Sequence, residues 1–360
     1  MSKKTEVLDN KCPHCGAKID YNPKTQNFKC EYCGIETTIK ELEKYNISNK
    51  SAVKNEKATE ENIDDYDEYM TYTCQDCGAE IIADKETTAT FCVYCGNNAI
   101  LKNKLSGKFS PKEIIPFKKD KQDAINAFIS LSKGRPLMPK KFNSQENIEK
   151  IRGIYIPFWF HDFHIEGALT MKGVTHEYWS VGNTDYTKTK VYELIREGNV
   201  DFHSVPVDGS TRFDNALMNT IQPYDYSELI PYNHAYLAGF LAERYDVEGN
   251  DTREEVEKDI LNDVKNTFKQ DASAFGITKI KDNTLQTTNH KIEYVLLPVY
   301  MVNVKYMGKI YTFAMNGQTG EFIGNIPVDK IKLIFITLLS IITLFLLYLV
   351  LSYFLFKVGS

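Results

Sequence analysis

Apolar residues recur along this chain with three distinct periods. From Asp120 to Lys133, Ile125, Phe128 and Ile129 fall at helical spacing behind an aspartate that can cap the first turn. Thr252–Phe268 is a longer amphipathic stretch, with Val256, Ile260, Leu261, Val264 and Phe268 on one face and Thr252 and Glu255 in a capping-box pattern. A short helix is predicted to start near Ser144. The second period is two. Ile154–Thr170, Val191–Val207, Tyr294–Tyr306, Ile310–Met315 and Glu321–Ile323 are rich in aromatic and β-branched residues and read as strands. Met307-Gly308-Lys309 and Asn316-Gly317 are turn signals between them, so the sheet is predicted to be antiparallel. Ile156-Pro157-Phe158-Trp159 and Leu297-Pro298-Val299-Tyr300 repeat one order of residue types, each after a helix, which suggests two related α+β units. A proline in such a place is expected at a strand start or on an edge strand. The third pattern has no polar break: Leu333–Phe356 is 24 residues without a charge. At ~1.5 Å per residue it reaches ~36 Å, enough to cross a ~30 Å hydrocarbon layer.

The cysteines add a fourth regularity. Cys12, Cys15, Cys30 and Cys33 form one set of two CxxC pairs, and Cys74, Cys77, Cys92 and Cys95 repeat it with the same internal spacing. A glycine follows each pair, as Gly16, Gly34, Gly78 and Gly96, and supplies the positive φ of a sharp turn. Two such turns facing across a hairpin make a tetrahedral four-thiolate site, which suits Zn²⁺. Redox CxxC pairs sit at helix starts, and iron–sulfur ligation uses other spacings, so both fit less well. With all four ligands from protein, each Zn²⁺ is structural and leaves no position for a substrate.

These patterns divide the chain into a zinc ribbon at 1–39, an acidic linker at 40–70, a second ribbon at 71–102, an α+β body at 110–330 and a transmembrane helix at 333–356. The linker carries Glu56, Glu60, Glu61, Asp64, Asp65, Asp67 and Glu68 against Lys57, and reads as a flexible tether that lets the first ribbon move independently. The composition is globular, with 42% hydrophobic and 25% charged residues and a net charge of -5. Eight thiolates with two Zn²⁺ contribute -8 + 4 = -4 and bring the net charge to -9, which argues against nucleic acid. The lysines at 11, 18, 24 and 29 keep the first ribbon locally basic. No apolar signal segment opens the chain, and thiolate metal sites suit a reducing compartment. The expected arrangement is therefore a single-pass, tail-anchored membrane protein with its body in the cytoplasm and its C-terminus outside.

Candidate chemistry elsewhere is sparse. His161, Asp162, His164 and Glu166 cluster, with His176 and Glu177 nearby, but His161 and His164 point to opposite faces of a strand. There is no phosphate-binding GxxxxGK[ST], no GxSxG and no cysteine outside the two sets. Gly317-Gln-Thr-Gly320 reads as a turn, and the tyrosine-rich 222–233 stretch as an ordered loop over the sheet.

The chain resembles the bacterial TFIIB-type zinc-ribbon membrane proteins of Gram-positive species. The resemblance rests on the ribbon motifs, Ile115-Pro-Phe, Ile156-Pro-Phe-Trp, Tyr236-Leu-Ala-Gly-Phe-Leu-Ala-Glu-Arg-Tyr-Asp246, Leu297-Pro-Val-Tyr300 and Asn316-Gly-Gln-Thr-Gly320. Such chains often carry a primosomal-helicase-like label, which the missing phosphate loop contradicts. The resemblance implies a role beside phage-shock-protein-A-type envelope-stress proteins. The expected function is a non-enzymatic adaptor that recruits cytosolic protein partners to the bilayer. The alternatives are a membrane-tethered nucleic-acid-binding regulator that uses the first ribbon, and a hydrolase built on His161–His176.

Overall fold

The computed structural model describes residues 11–45, 69–74, 77–84, 92–94, 100–104, 111–133, 135–139, 142, 144–212, 218 and 220–358. Cys95 and residues 46–68, most of the acidic linker, lie outside the described residues.

The first ribbon is a three-stranded sheet, β1 (Asp20–Asn22), β2 (Asn27–Lys29) and β3 (Glu36–Thr37), followed by α1 (39–45). The second ribbon is also three-stranded: β4 (Tyr69–Cys74) lies between β5 (Glu80–Asp84) and β6 (Ile100–Lys104). The body contributes β7 (Glu113–Ile114), α2 (Lys121–Ser132), α3 (Gln145–Glu149), β8 (Arg152–Val181), β9 (Thr184–Asp208), β10 (Ile230–Pro231), β11 (Leu241–Glu243), α4 (Gly249–Asp271), β12 (Ile277–Asn283), β13 (Gln286–Tyr306), β14 (Lys309–Asn316) and β15 (Phe322–Gly324). α5 (Lys330–Val358) follows. Among the described residues, β4–β15 form one 12-stranded sheet. The fold is thus α+β and dominated by sheet, as the periodicities indicate.

Two long strands, β8 and β13, run antiparallel through the centre of the body with Ile156 opposite Leu297. The molecule is duplicated about this point. On one side β11 pairs parallel with β8 at Leu241/Ile154 and Ala242/Tyr155, and on the other β7 pairs parallel with β13 at Glu113/Val295 and Ile114/Leu296. Gly209 N donates to Pro157 O and Gly317 N to Pro298 O, both at 2.9 Å. Trp159 Nε1 donates to Val247 O at 2.8 Å, and Tyr300 Oη to Lys119 O at 3.1 Å. The Trp159 ring meets Tyr245 edge-on at 5.0 Å, and Tyr300 meets Phe117 in the same way at 4.9 Å. The two related units suggested by the repeated Pro motifs are therefore visible as geometry.

The same geometry corrects the expectation for the prolines. Neither begins a strand nor sits on an edge strand. Pro157 lies where the outer neighbour of β8 changes from β11 to β9, and Pro298 where that of β13 changes from β7 to β14. A residue without an N–H fits a position where the ladder changes partner. The antiparallel expectation holds for the long pairs, while the two short pairs described above are parallel.

α2 begins at its expected cap, where Asp120 and Asp123 form a reciprocal capping box. α4 begins three residues before the predicted Thr252. Thr252 lies inside the first turn, and its Oγ1 donates to Gly249 O at 2.9 Å instead of capping. Phe163 and Ile165 of β8 bury against Ile260 and Val264 of α4. The 222–233 loop packs on the sheet: Tyr224 Oη donates to Pro298 O at 3.1 Å, and Tyr226 meets Phe160 edge-on at 4.9 Å.

The first ribbon does not stand apart as its linker suggested. Tyr21 N donates to Ala238 O at 3.2 Å, and Gln26 Nε2 to Phe117 O at 2.8 Å. Lys24 pairs with Asp120 at 2.7 Å. Tyr21 and Phe28 pack on Tyr236, with ring centroids 5.2 and 5.7 Å away. A ribbon this small has too little apolar interior of its own, so Ile19, Tyr21, Phe28 and Leu42 complete it by joining the core of the body.

The Lys330–Ser352 stretch of α5 has a mean hydropathy of 2.8 and none of it is buried, so it is long and apolar enough to cross a membrane. Its start is tied to the body. Asp329 Oδ1 accepts from the backbone N–H of Ile331 and Lys332, Asp329 N donates to Leu137 O at 2.8 Å, and Lys332 Nζ donates to Met138 O at 2.5 Å.

Candidate metal centre

Each described knuckle is the same turn. Gly16, Gly34 and Gly78 take φ values of 72°, 73° and 70°. Their N–H groups donate back to Cys12 O, Cys30 O and Cys74 O, each at 2.9 Å. The N–H groups of Cys12, Cys30 and Cys74 in turn donate to Ala17 O, Ile35 O and Ala79 O. This fold-back turns both sulfurs of each CxxC pair toward one point.

In the first ribbon the Sγ atoms of Cys12, Cys15, Cys30 and Cys33 all lie within 4.8 Å of one another. Cys12 and Cys33 are 3.6 Å apart at sulfur, as are Cys15 and Cys30. A tetrahedral ion with ~2.3 Å metal–sulfur bonds has sulfur–sulfur edges of ~3.8 Å, so the residues fit a metal without rearrangement. They do not fit disulfides, which need ~2.05 Å. In the second ribbon Cys74, Cys77 and Cys92 converge in the same way, with Cys77 and Cys92 Sγ 3.7 Å apart. Both clusters can hold a metal ion. Cys12, Cys30, Cys74 and Cys92 are buried, and Cys15, Cys33 and Cys77 face outward.

The second centre is locked to the body by residues that sequence reasoning missed. β5 pairs with β11, placing Glu243 opposite Ile81. Arg212 Nη2 donates to the knuckle carbonyl of Gly78 at 2.9 Å, while its Nη1 is 2.6 Å from Asp246 Oδ2 and 3.7 Å from Glu243 Oε1. Glu243 is fully buried, and its Oε1 accepts from Ser210 Oγ at 2.7 Å. Burial pushes the Glu243 carboxyl up to about 8 against the pull of Ser210, Tyr94 and Arg212. Burial also raises Asp208 to about 7, with the Asp246 charge adding to it. A signal for this clamp was present. Asp208-Gly-Ser-Thr occupies the place in the first unit that Asn316-Gly-Gln-Thr holds in the second, and both turn on a side-chain Oδ1 that accepts the N–H two residues on.

The structure does not bring the histidine region together at one point. His161 is fully buried; its Nε2 meets Thr252 Oγ1 at 2.9 Å and its Nδ1 meets His290 Nε2 at 3.0 Å. The Thr252 hydroxyl is already donating to Gly249, so His161 Nε2 carries the proton and its Nδ1 accepts from His290. Desolvation, followed by the neighbouring His290 and Arg253, lowers His161 to about 4. His164 instead pairs with Asp201 at 2.6 Å, and His176 with Thr189 at 3.0 Å. Glu177 pairs with Lys190. The cluster in the sequence is strung along both faces of one strand, and among the described residues it contributes to no group of three or more possible metal ligands.

No family model matches the chain, and no solved structure matches it. It is 34% identical over 326 residues to the uncharacterized protein YdjG of Bacillus subtilis (strain 168), an alignment that covers 91% of this chain and 92% of that protein. Shared identity over nearly the full length of both chains places this protein in the YdjG family.

Proposed function

We propose that this protein is a non-enzymatic, membrane-held adaptor whose two zinc ribbons, of the TFIIB type, are structural and whose body recruits cytosolic protein partners. The observation that carries the reading is α5, an apolar helix with no burial that is fastened at Asp329 and Lys332 to a folded body. A core helix would be covered, and this one is bare. Zn²⁺ is the ion that an all-thiolate tetrahedral set suits best, and a closed set of this kind offers stability and no open position for chemistry. The second ribbon is continuous with the body sheet through β5 and β11, so metal there supports the body.

Protein rather than nucleic acid is the favoured partner. Of the four first-ribbon lysines, Lys24 is engaged by Asp120 and Lys18 by Asp20, which removes much of the basic face that phosphate binding needs. The far end of the β8–β9 hairpin bears exposed aromatic residues, with Tyr178 73% exposed and Trp179 stacked on Tyr186 at 5.6 Å. Rigid exposed aromatics are common anchors in protein interfaces. Proteins of the phage-shock-protein-A type are the partners this reading tests first.

The test is to cross-link cells that express the full chain, solubilise the membranes gently, and score both protein and nucleic acid on the purified chain. Enrichment of a defined protein set without nucleic acid is expected. Salt-sensitive recovery of DNA or RNA would overturn the reading in favour of a nucleic-acid regulator.

A further inference from the structure

The β13–β14 hairpin ends beside the base of α5. Phe142 packs edge-on against Tyr306 and Tyr311 of this hairpin, at 5.5 and 5.6 Å, and Phe142 N donates to Pro139 O in the 135–139 segment that grips Lys332. Arg135, Ile310 and Asn325 line one cavity, so the hairpin, the loop after α2 and the approach to α5 lie together. The turn itself exposes two large apolar side chains, Met307 at 77% and Ile310 at 46%.

Five exposed cations lie on the turn and the segments beside it. Lys305, Lys309, Lys330, Arg135 and Lys133 are all exposed, and none forms an ion pair among the described residues. Residues 305–312 contain no acid, and the acid nearest α5, Asp329, is occupied with capping it. In a chain of net charge -5, a cationic rim around exposed apolar side chains is a local departure. Elsewhere, the exposed aromatic tip of the β8–β9 hairpin lies at the opposite end of β8 from Arg152, which pairs with Met301 near this face. That tip is therefore far from the same surface.

We propose that the β13–β14 turn is a second membrane contact, in which Met307 and Ile310 dip into the headgroup layer while Lys305, Lys309, Lys330 and Arg135 bind anionic lipid headgroups. This rests on α5 crossing the bilayer. Apolar side chains flanked by lysines are the pattern of interfacial anchoring, and each lysine near an anionic surface strengthens binding about fivefold. The contact would orient the body against the bilayer instead of leaving it to swivel on α5.

The test places a photo-crosslinking amino acid at Met307, at Ile341 within α5 or at Tyr178 in the distant hairpin. Each full-length chain is reconstituted into vesicles of phosphatidylcholine alone or mixed with phosphatidylglycerol, and lipid adducts are read by mass spectrometry. Adducts are expected at 341 in both vesicles, at 307 severalfold more with phosphatidylglycerol, and not at 178. Lys305→Glu with Lys309→Glu should cut the 307 adduct at least severalfold and leave the 341 adduct unchanged. Adducts at 341 with none at 307, or a 307 yield indifferent to phosphatidylglycerol, would overturn this contact. Absence of adducts at 341 would instead overturn the membrane reading itself. The vesicle comparison with unaltered lysines needs no charge variant to fold.

Discussion

Gly16, Gly34 and Gly78 each hold a positive φ, and a Cβ at any of them would meet nothing within 4 Å. An alanine there is penalised by backbone conformation alone, so Gly78→Ala should destabilise the second ribbon by roughly 1–2 kcal/mol, measured as a shift in thermal unfolding of the metal-loaded chain. These residues were fully legible, because cysteine spacing and its glycines state a local geometry. Glu243 was not, because its partners Ser210, Arg212 and Asp246 come from segments that only the fold brings together. Its titration gives a test. The Glu243 carboxyl is raised to about 8 in the folded chain against an ordinary value of 4.5. The folded state therefore holds a proton that the unfolded state releases, and this contribution is complete below pH ~4.5 and lost as pH rises through about 8. Thermal melts between pH 6 and 9 should show stability falling with pH, and Glu243→Gln should flatten that slope. An unchanged slope would mean that another group carries it. His161 runs the opposite way: lowered to about 4, its contribution is complete above pH ~6.5 and fades as pH falls, so the two oppose each other between pH ~4.5 and ~6.5, and of the two only Glu243 titrates above that.

At the level of elements, hydrophobic period located α2 and α4, and β-branched and aromatic runs located the core of β8, β9, β13 and β14. Their full lengths were hidden, since β8 spans 30 residues and its last eight, 174–181, are mostly exposed and show little alternation of apolar and polar positions. In the sequence the duplication shows as two Pro-centred tetrads and, more faintly, as Asp208-Gly-Ser-Thr against Asn316-Gly-Gln-Thr. The rest of the repeat is conserved in geometry through different side chains, Trp159 answering to Tyr300 and Tyr245 to Phe117. Equivalent positions should have equivalent energetics. Trp159→Phe and Tyr300→Phe each remove one hydrogen bond, to Val247 O and to Lys119 O, and each should lower stability by about 1 kcal/mol in denaturant unfolding. A loss confined to one of them would show that the two halves do not carry load alike.

Across the whole molecule, the acidic linker suggested a tethered, mobile first ribbon, yet both ribbons are built into the body. What composition could not reveal is that Tyr21 and Phe28 find their packing on Tyr236, far along the chain. Metal and body should then unfold together. Chelation is expected to remove two ions per chain and to lower the melting temperature of the body itself, followed by near-ultraviolet tyrosine and tryptophan signals. A body transition indifferent to chelation would mean that the ribbons are passengers. Recruitment to the membrane can be measured directly. Proteins that cross-link to the full chain are quantified in the membrane and soluble fractions of two strains, one with the full chain and one in which residues 330–360 are deleted. The adaptor account predicts that these proteins leave the membrane fraction together with the shortened chain. If they stay at the membrane while the shortened body becomes soluble, this protein does not hold them there.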